Sequence, residues 1–224
     1  MGEMVEFSMN GAESAGYLAL PESGKGAAVL VLQEWWGLVD HIKDVADRLA
    51  AQGYVALAPD LYHGKSTTDP DVAGKEMMGL DITRAGRDLQ GAVDFLVGHD
   101  AVTSDKVGAV GFCMGGKLAL FAGGGHASIH AIANFYGVHP DVKPDFSKMK
   151  ASVQCHFGKS DGFVPTADAE ALVAEMKDAG VPVDAHFYDA GHAFFNDTRE
   201  GAYDAASAKS AWERTLTFFG ENLN

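Results

Sequence analysis

The sequence predicts an α/β fold with a mostly parallel central sheet and helices on both faces, and two observations carry that prediction. Continuously apolar segments alternate with amphipathic ones from one end to the other, with no repeat, low-complexity tract or linker. That is how strands and helices taking turns are written. Ala27 to Leu32 (AAVLVL) is apolar at every position, as a strand covered on both faces requires. At 224 residues, one domain spanning 1–224 can bury roughly 70 per cent of its unfolded surface and needs neither disulfide nor metal to fold.

Val5 to Phe7 and Tyr17 to Leu20 read as an edge hairpin. The inner strands follow as Ala27 to Leu32, Val55 to Ala58, Val107 to Gly111, Ile129 to Phe135, Val153 to Phe157 and Val183 to Tyr188. The clearest helix starts at Asp81, an N-cap, and sets Ile82, Ala85, Leu89, Val93 and Leu96 on one face. Asp40 caps a second helix running to Ala51, and Tyr203 to Phe219 forms the last. Residues 64–80 are the least regular stretch and read as a surface loop or a lid. With this element order, ligand chemistry gathers beyond the carboxyl ends of the strands.

Charge narrows the partners. Lys plus Arg total 17 against 31 Asp plus Glu, a formal charge of −14, and no basic run appears. Nucleic acid and anionic membranes are therefore excluded as expected partners. The N-terminus carries no apolar signal core, and no apolar run approaches the roughly 18 residues of a bilayer span. Two cysteines are too few for a disulfide scaffold. The expectation is a cytoplasmic monomer with no cofactor and no metal: His126 and His130 are four apart but straddle a helix-to-strand turn.

Val107 to Gly111 runs straight into Phe112, Cys113, Met114, Gly115 and a helical stretch. A strand turning at once into a helix strains the corner residue and demands tiny neighbours two positions either side, which Gly111 and Gly115 supply. This is the nucleophile elbow, G-x-S-x-G, with cysteine in the serine position. A thiol so placed sits at a helix N-terminus that favours a thiolate and can bind an oxyanion. The bland alternative is a small buried filler in a tight joint. Gly111 to Lys117 also fits a phosphate loop, but Leu118 replaces the Mg²⁺-binding hydroxyl, which weakens a nucleotide-binding reading. Gly158, Ser160 and Gly162 repeat the elbow pattern before Pro165 rather than a helix. A redox pair with Cys155 lacks a C-x-x-C pattern, so Cys155 reads as core.

An elbow nucleophile needs an acid and a histidine later in the chain, in that order. Asp161 and His192 each follow a different strand, and together they fit, although singly either reads as an ordinary turn or surface residue. Glu34 follows AAVLVLQ at the same rim. Its carboxylate would raise the thiol's pKa and hold the resting sulfur protonated, unless it merely caps a loop.

The segments VLQEWWG, GYVALAPDLYHG, KVGAVGFCMGG, FYGVHP, GKSDGFVP, DAGHAFFN and ERTLTFF resemble the dienelactone hydrolase family, the cysteine-bearing branch of the α/β-hydrolases. The resemblance implies an α/β-hydrolase fold and a Cys113, Asp161 and His192 triad. It also implies Glu34 beside the thiol and an oxyanion hole from the backbone N–H groups of Trp35 and Met114. The family opens the enol-lactone dienelactone to maleylacetate in the degradation of chlorinated aromatics. It grips the substrate carboxylate with two arginines, one four residues after the histidine. Here that position is Asn196, and the lid segment offers only Lys75, leaving Arg84 or Arg199 as unmatched substitutes. The expected function is cleavage of an ester or lactone through a cysteine acyl-enzyme, shifted toward neutral substrates. Trp36, Tyr136, Phe195 and Asn196 are the candidate substrate contacts, and a non-hydrolytic small-molecule or nucleotide-binding protein is the alternative.

Overall fold

The run Ala27 to Leu32 forms most of β3 (Gly26–Leu32), and its two alternations feed two different cores. Ala28, Leu30 and Leu32 face one cluster, while Ala27, Val29 and Val31 face the other. Each fully buried Val or Leu contributes on the order of 2 kcal/mol of apolar burial. The computed structural model describes residues 2–9 and 12–223. Around β3 stand β1 (Glu3–Met9), β2 (Ala12–Ala19), β4 (Val55–Pro59), β5 (Val102–Phe112), β6 (Ile129–Phe135), β7 (Ser152–Gly158) and β8 (Val183–Tyr188).

Among the described residues the eight strands form one sheet in the order β1-β2-β4-β3-β5-β6-β7-β8. The edge hairpin pairs antiparallel, β2 runs antiparallel to β4, and every pairing from β4 to β8 is parallel. Parallel neighbours require crossovers, and among the described residues five helices cover the two faces. On one face lie α3 (Ile82–Val97), α4 (Met114–Gly125) and α5 (Thr166–Asp178). On the other lie α1 (Asp40–Ala51) and α6 (Ala205–Asn222).

Two readings change. Asp81 caps α3 as expected, accepting from Arg84 N at 3.0 Å. Asp40, however, is the first helical residue of α1, and the extended Val39 (φ −85°, ψ 169°) is the N-cap with no side-chain bond. Asp40 therefore acts through the helix dipole rather than as a cap. Residues 64–80 are not irregular throughout, because they hold α2 (Pro70–Met78). The signal was local: Asp69 accepts from the Asp71 and Val72 amides, and Pro70 takes the first helical position. The chain has too few apolar residues there to make a periodic stripe, and of α2 only Ala73 is buried.

Candidate active site

Every parallel strand from β3 to β8 except β4 is followed within four residues by a residue of the candidate site. Glu34 follows β3, Cys113 follows β5, Tyr136 follows β6, Asp161 follows β7 and His192 follows β8. A parallel sheet presents all these ends on one rim, which explains how residues far apart in sequence converge.

Cys113 alone connects β5 to α4, with φ 52° and ψ −120°. That left-handed conformation costs of order 1–3 kcal/mol in a non-glycine residue and is kept only when its surroundings enforce it. Here they do: a Cβ on Gly111 would strike the backbone of Gly115, and one on Gly115 would strike the carbonyls of Leu32 and Gln33. One residue between strand and helix leaves no loop to cradle phosphates, which removes the phosphate-loop reading. Ser160 lies exposed in the loop between β7 and α5 and has no left-handed backbone, so Gly158 to Gly162 is not a second elbow. Cys155 is fully buried on β7, and burial pushes its thiol up to about 12.

His192 and Asp161 are joined at 2.8 Å between Nδ1 and Oδ2. The other oxygen of Asp161 accepts from the Phe163 and Val164 amides at 2.7 and 2.9 Å. The carboxylate is thus clamped from behind and can present only Oδ2 to the imidazole. The Cys113 thiol is pushed well above the ordinary thiol range, first by burial and then by the Glu34 carboxylate, while the Met114 and Trp35 amides pull it down. Those two amides therefore face the sulfur, while burial and Glu34 both favour the protonated thiol.

Glu34 is 1% exposed. Burial raises its pKa, opposed by a hydrogen bond from Asn196 and by the nearby His192 and Arg199 side chains. The Tyr136 hydroxyl also favours the charged form without making an aligned hydrogen bond. Because the folded state binds this proton more tightly than the unfolded chain, stability falls as pH rises through and above about 4.5. Glu34→Gln is expected to raise Tm by a few degrees at about pH 8, with the gain vanishing near pH 4. Thermal melts of both proteins across that range check it; a gain independent of pH would contradict the assignment.

A cavity of about 300 Å³ opens onto these groups, lined by Glu34, Cys113 and His192 and by Trp35, Trp36, Pro70, Met77, Val138, Phe163 and Arg199. Phe163 is 63% exposed, and its ring lies 4.9 Å from His192 and 6.2 Å from Trp35. The Arg199 guanidinium sits 4.3 Å over the Trp36 ring. Of the expected substrate contacts, Trp36 lines this cavity. The other three are placed elsewhere. Tyr136 is buried beneath His192, with ring centres 5.0 Å apart. Phe195 is buried against Phe112, Phe135 and Trp212. Asn196 is buried against Glu34. Successive residues of the loop after β8 point to different layers, which a sequence reading does not resolve. Phe163, Met77 and Val138 were missed for the same reason: each resembles ordinary apolar filler. Arg84 is exposed on α3 and lines a separate hollow with Tyr62 and His63, and Lys75 does not line the Cys113 cavity. His126 pairs with Asp94 and His130 with a backbone carbonyl. Among the described residues no helix is long and apolar enough to cross a membrane.

A mostly parallel sheet with helices on both faces and a sharp strand-to-helix corner is the α/β-hydrolase fold. The dienelactone hydrolase family matches residues 14–223, and the chain belongs to that family of hydrolases. It is 38% identical to "Protein usf" of Aquifex pyrophilus, with both chains covered completely. It is 37% identical to a protein of Aquifex aeolicus named "Putative carboxymethylenebutenolidase", over 98% of each. Among solved structures it resembles a dienelactone hydrolase-like promiscuous phosphotriesterase from metagenomic libraries, with TM-score 0.90 and 27% identity over 100% of this chain and 99% of that one.

Proposed function

We propose that this protein hydrolyses a carboxylic ester or lactone through a thioester on Cys113. The observation that carries the reading is the shared cavity: a strained elbow thiol, an imidazole already oriented by a clamped carboxylate, and two amides facing the sulfur. The Cys113 proton passes to His192 as the sulfur attacks the carbonyl carbon. The Trp35 and Met114 N–H groups hold the tetrahedral oxyanion. As it collapses, the carbon–oxygen bond breaks and His192 returns the proton to the leaving alcohol or enol, which leaves the thioester. His192 then takes a proton from water, the hydroxide adds to the thioester carbonyl, and collapse releases the acid and restores the thiol.

The cavity walls are mostly aromatic and apolar, which suits a flat acyl group. Its charged groups oppose one another: Glu34 repels an anionic substrate, and Arg199 is the one arginine or lysine lining the cavity among the described residues. A neutral ester or lactone needs neither. A substrate carboxylate has a single anchor in place of the family's two, so turnover of dienelactone rests on Arg199. Arg199→Met is expected to lower the ratio of kcat/KM for dienelactone to that for p-nitrophenyl acetate by about tenfold or more, the loss of one charge-assisted hydrogen bond. Wild-type enzyme is expected to favour the neutral ester. A large wild-type preference for dienelactone that survives Arg199→Met would defeat this substrate assignment.

A further inference from the structure

Asn196 occupies the position of an expected substrate-binding arginine, yet it is 1% exposed and absent from the walls of the Cys113 cavity. Both ends of its amide are engaged. Oδ1 accepts from the Thr198 backbone N–H at 3.1 Å and from the Thr198 hydroxyl at 2.7 Å. Nδ2 donates to Glu34 Oε2 at 2.6 Å. The Thr198 N–H can only donate, so the carbonyl end must face it and the amide cannot turn over. The NH₂ end is therefore locked onto Glu34.

The other groups that face Glu34 are the Cys113 thiol at the start of α4, the Tyr136 phenol after β6, and His192 and Arg199 after β8. They act on its charge, but none supplies an aligned hydrogen bond among the described residues. We propose that Asn196, locked by Thr198, is the positioning residue of Glu34: it holds the carboxylate beside the Cys113 thiol in one orientation and favours its charged form. Asn196 touches no reacting atom. A neutral donor here does what a cation would do for orientation while leaving most of the carboxylate's charge to act on the thiol, and it frees Arg199 to remain stacked on Trp36. The inference rests on the reading of Cys113 as the nucleophile.

The test is the pH dependence of Cys113 alkylation by iodoacetamide, followed by mass spectrometry of the Cys113 peptide in the free enzyme. Ionisation of Glu34 suppresses the thiolate, so its titration marks a step in the rate profile. Asn196→Ala is expected to move that step up by roughly one pH unit, the effect of removing one hydrogen bond to a charged group. Thr198→Val moves it in the same direction by less. Neither substitution is expected to change the profile in a Glu34→Gln background, because a residue acting through Glu34 has nothing left to act on. An unmoved step, or the same change with and without Glu34, overturns the proposal. If Asn196→Ala does not fold, Asn196→Ser and Thr198→Val carry the same expectations. The readout needs no substrate. Retained hydrolysis in a Cys113→Ala variant would sink the catalytic reading while a shifted step still upheld the positioning, and the converse pattern would sink only the positioning.

Discussion

Cys113→Ala is expected to reduce hydrolysis of p-nitrophenyl acetate by roughly 10⁵-fold or more, the scale seen when the nucleophile of a catalytic triad is removed. Cys113, Glu34 and His192 are the reactive side chains in the cavity wall, and Ser160 lies outside it, so no neighbour is placed to take over. Alanine bears the same left-handed backbone strain as cysteine, so the fold should persist, with an unchanged circular dichroism spectrum. Activity within tenfold of wild type in a well-folded Cys113→Ala protein would rule out the thioester route. Prior alkylation of wild-type Cys113 should give the same loss.

Asp161→Asn is expected to lower kcat by about 10⁴-fold while leaving the cavity intact, and the reason is in the hydrogen-bond directions. One oxygen of Asp161 is committed to the Phe163 and Val164 amides, both donors. In the asparagine variant the carbonyl must stay there, so the NH₂ group faces His192 Nδ1. That nitrogen must then accept, and the imidazole proton moves to Nε2, the nitrogen that would take the thiol's proton. The wrong tautomer blocks proton transfer without moving an atom far. A burst of acyl-enzyme followed by normal turnover in this variant would contradict the roles assigned to His192 and Asp161, and Asp161→Glu recovering no activity would be consistent with the geometric clamp.

Much of the fold was legible because burial on both faces leaves a mark in one dimension. AAVLVL admits no polar alternation, and Asp81 with its periodic apolar partners writes α3 in full. The elbow was legible for a related reason: Gly111 and Gly115 record a close approach of backbone to backbone that any side chain would prevent. Asp161 and His192 were placed by chain order and strand ends together. Helix α2 escaped notice because its signal is a cap and a proline rather than a stripe. Asp40 reads as a cap in one dimension because its side chain can accept a hydrogen bond, whereas the extended backbone of Val39 leaves no mark in the sequence.

The loop after β8 shows where one-dimensional reading stops. His192, Phe195, Asn196 and Arg199 lie within eight residues, yet one orients toward Asp161, one fills the aromatic core, one locks Glu34 and one reaches the cavity over Trp36. Without regular secondary structure there is no period from which to infer direction. The sequence by itself determined a two-sided parallel sheet, a sharp strand-to-helix corner at Cys113 and the placing of Asp161 and His192 after later strands, because periodicity and glycine placement are local consequences of packing. Only the tertiary structure decided that Asn196 serves Glu34 and that Arg199 is the cation in the cavity, because those contacts join residues more than 160 positions apart through side-chain directions that no local pattern encodes.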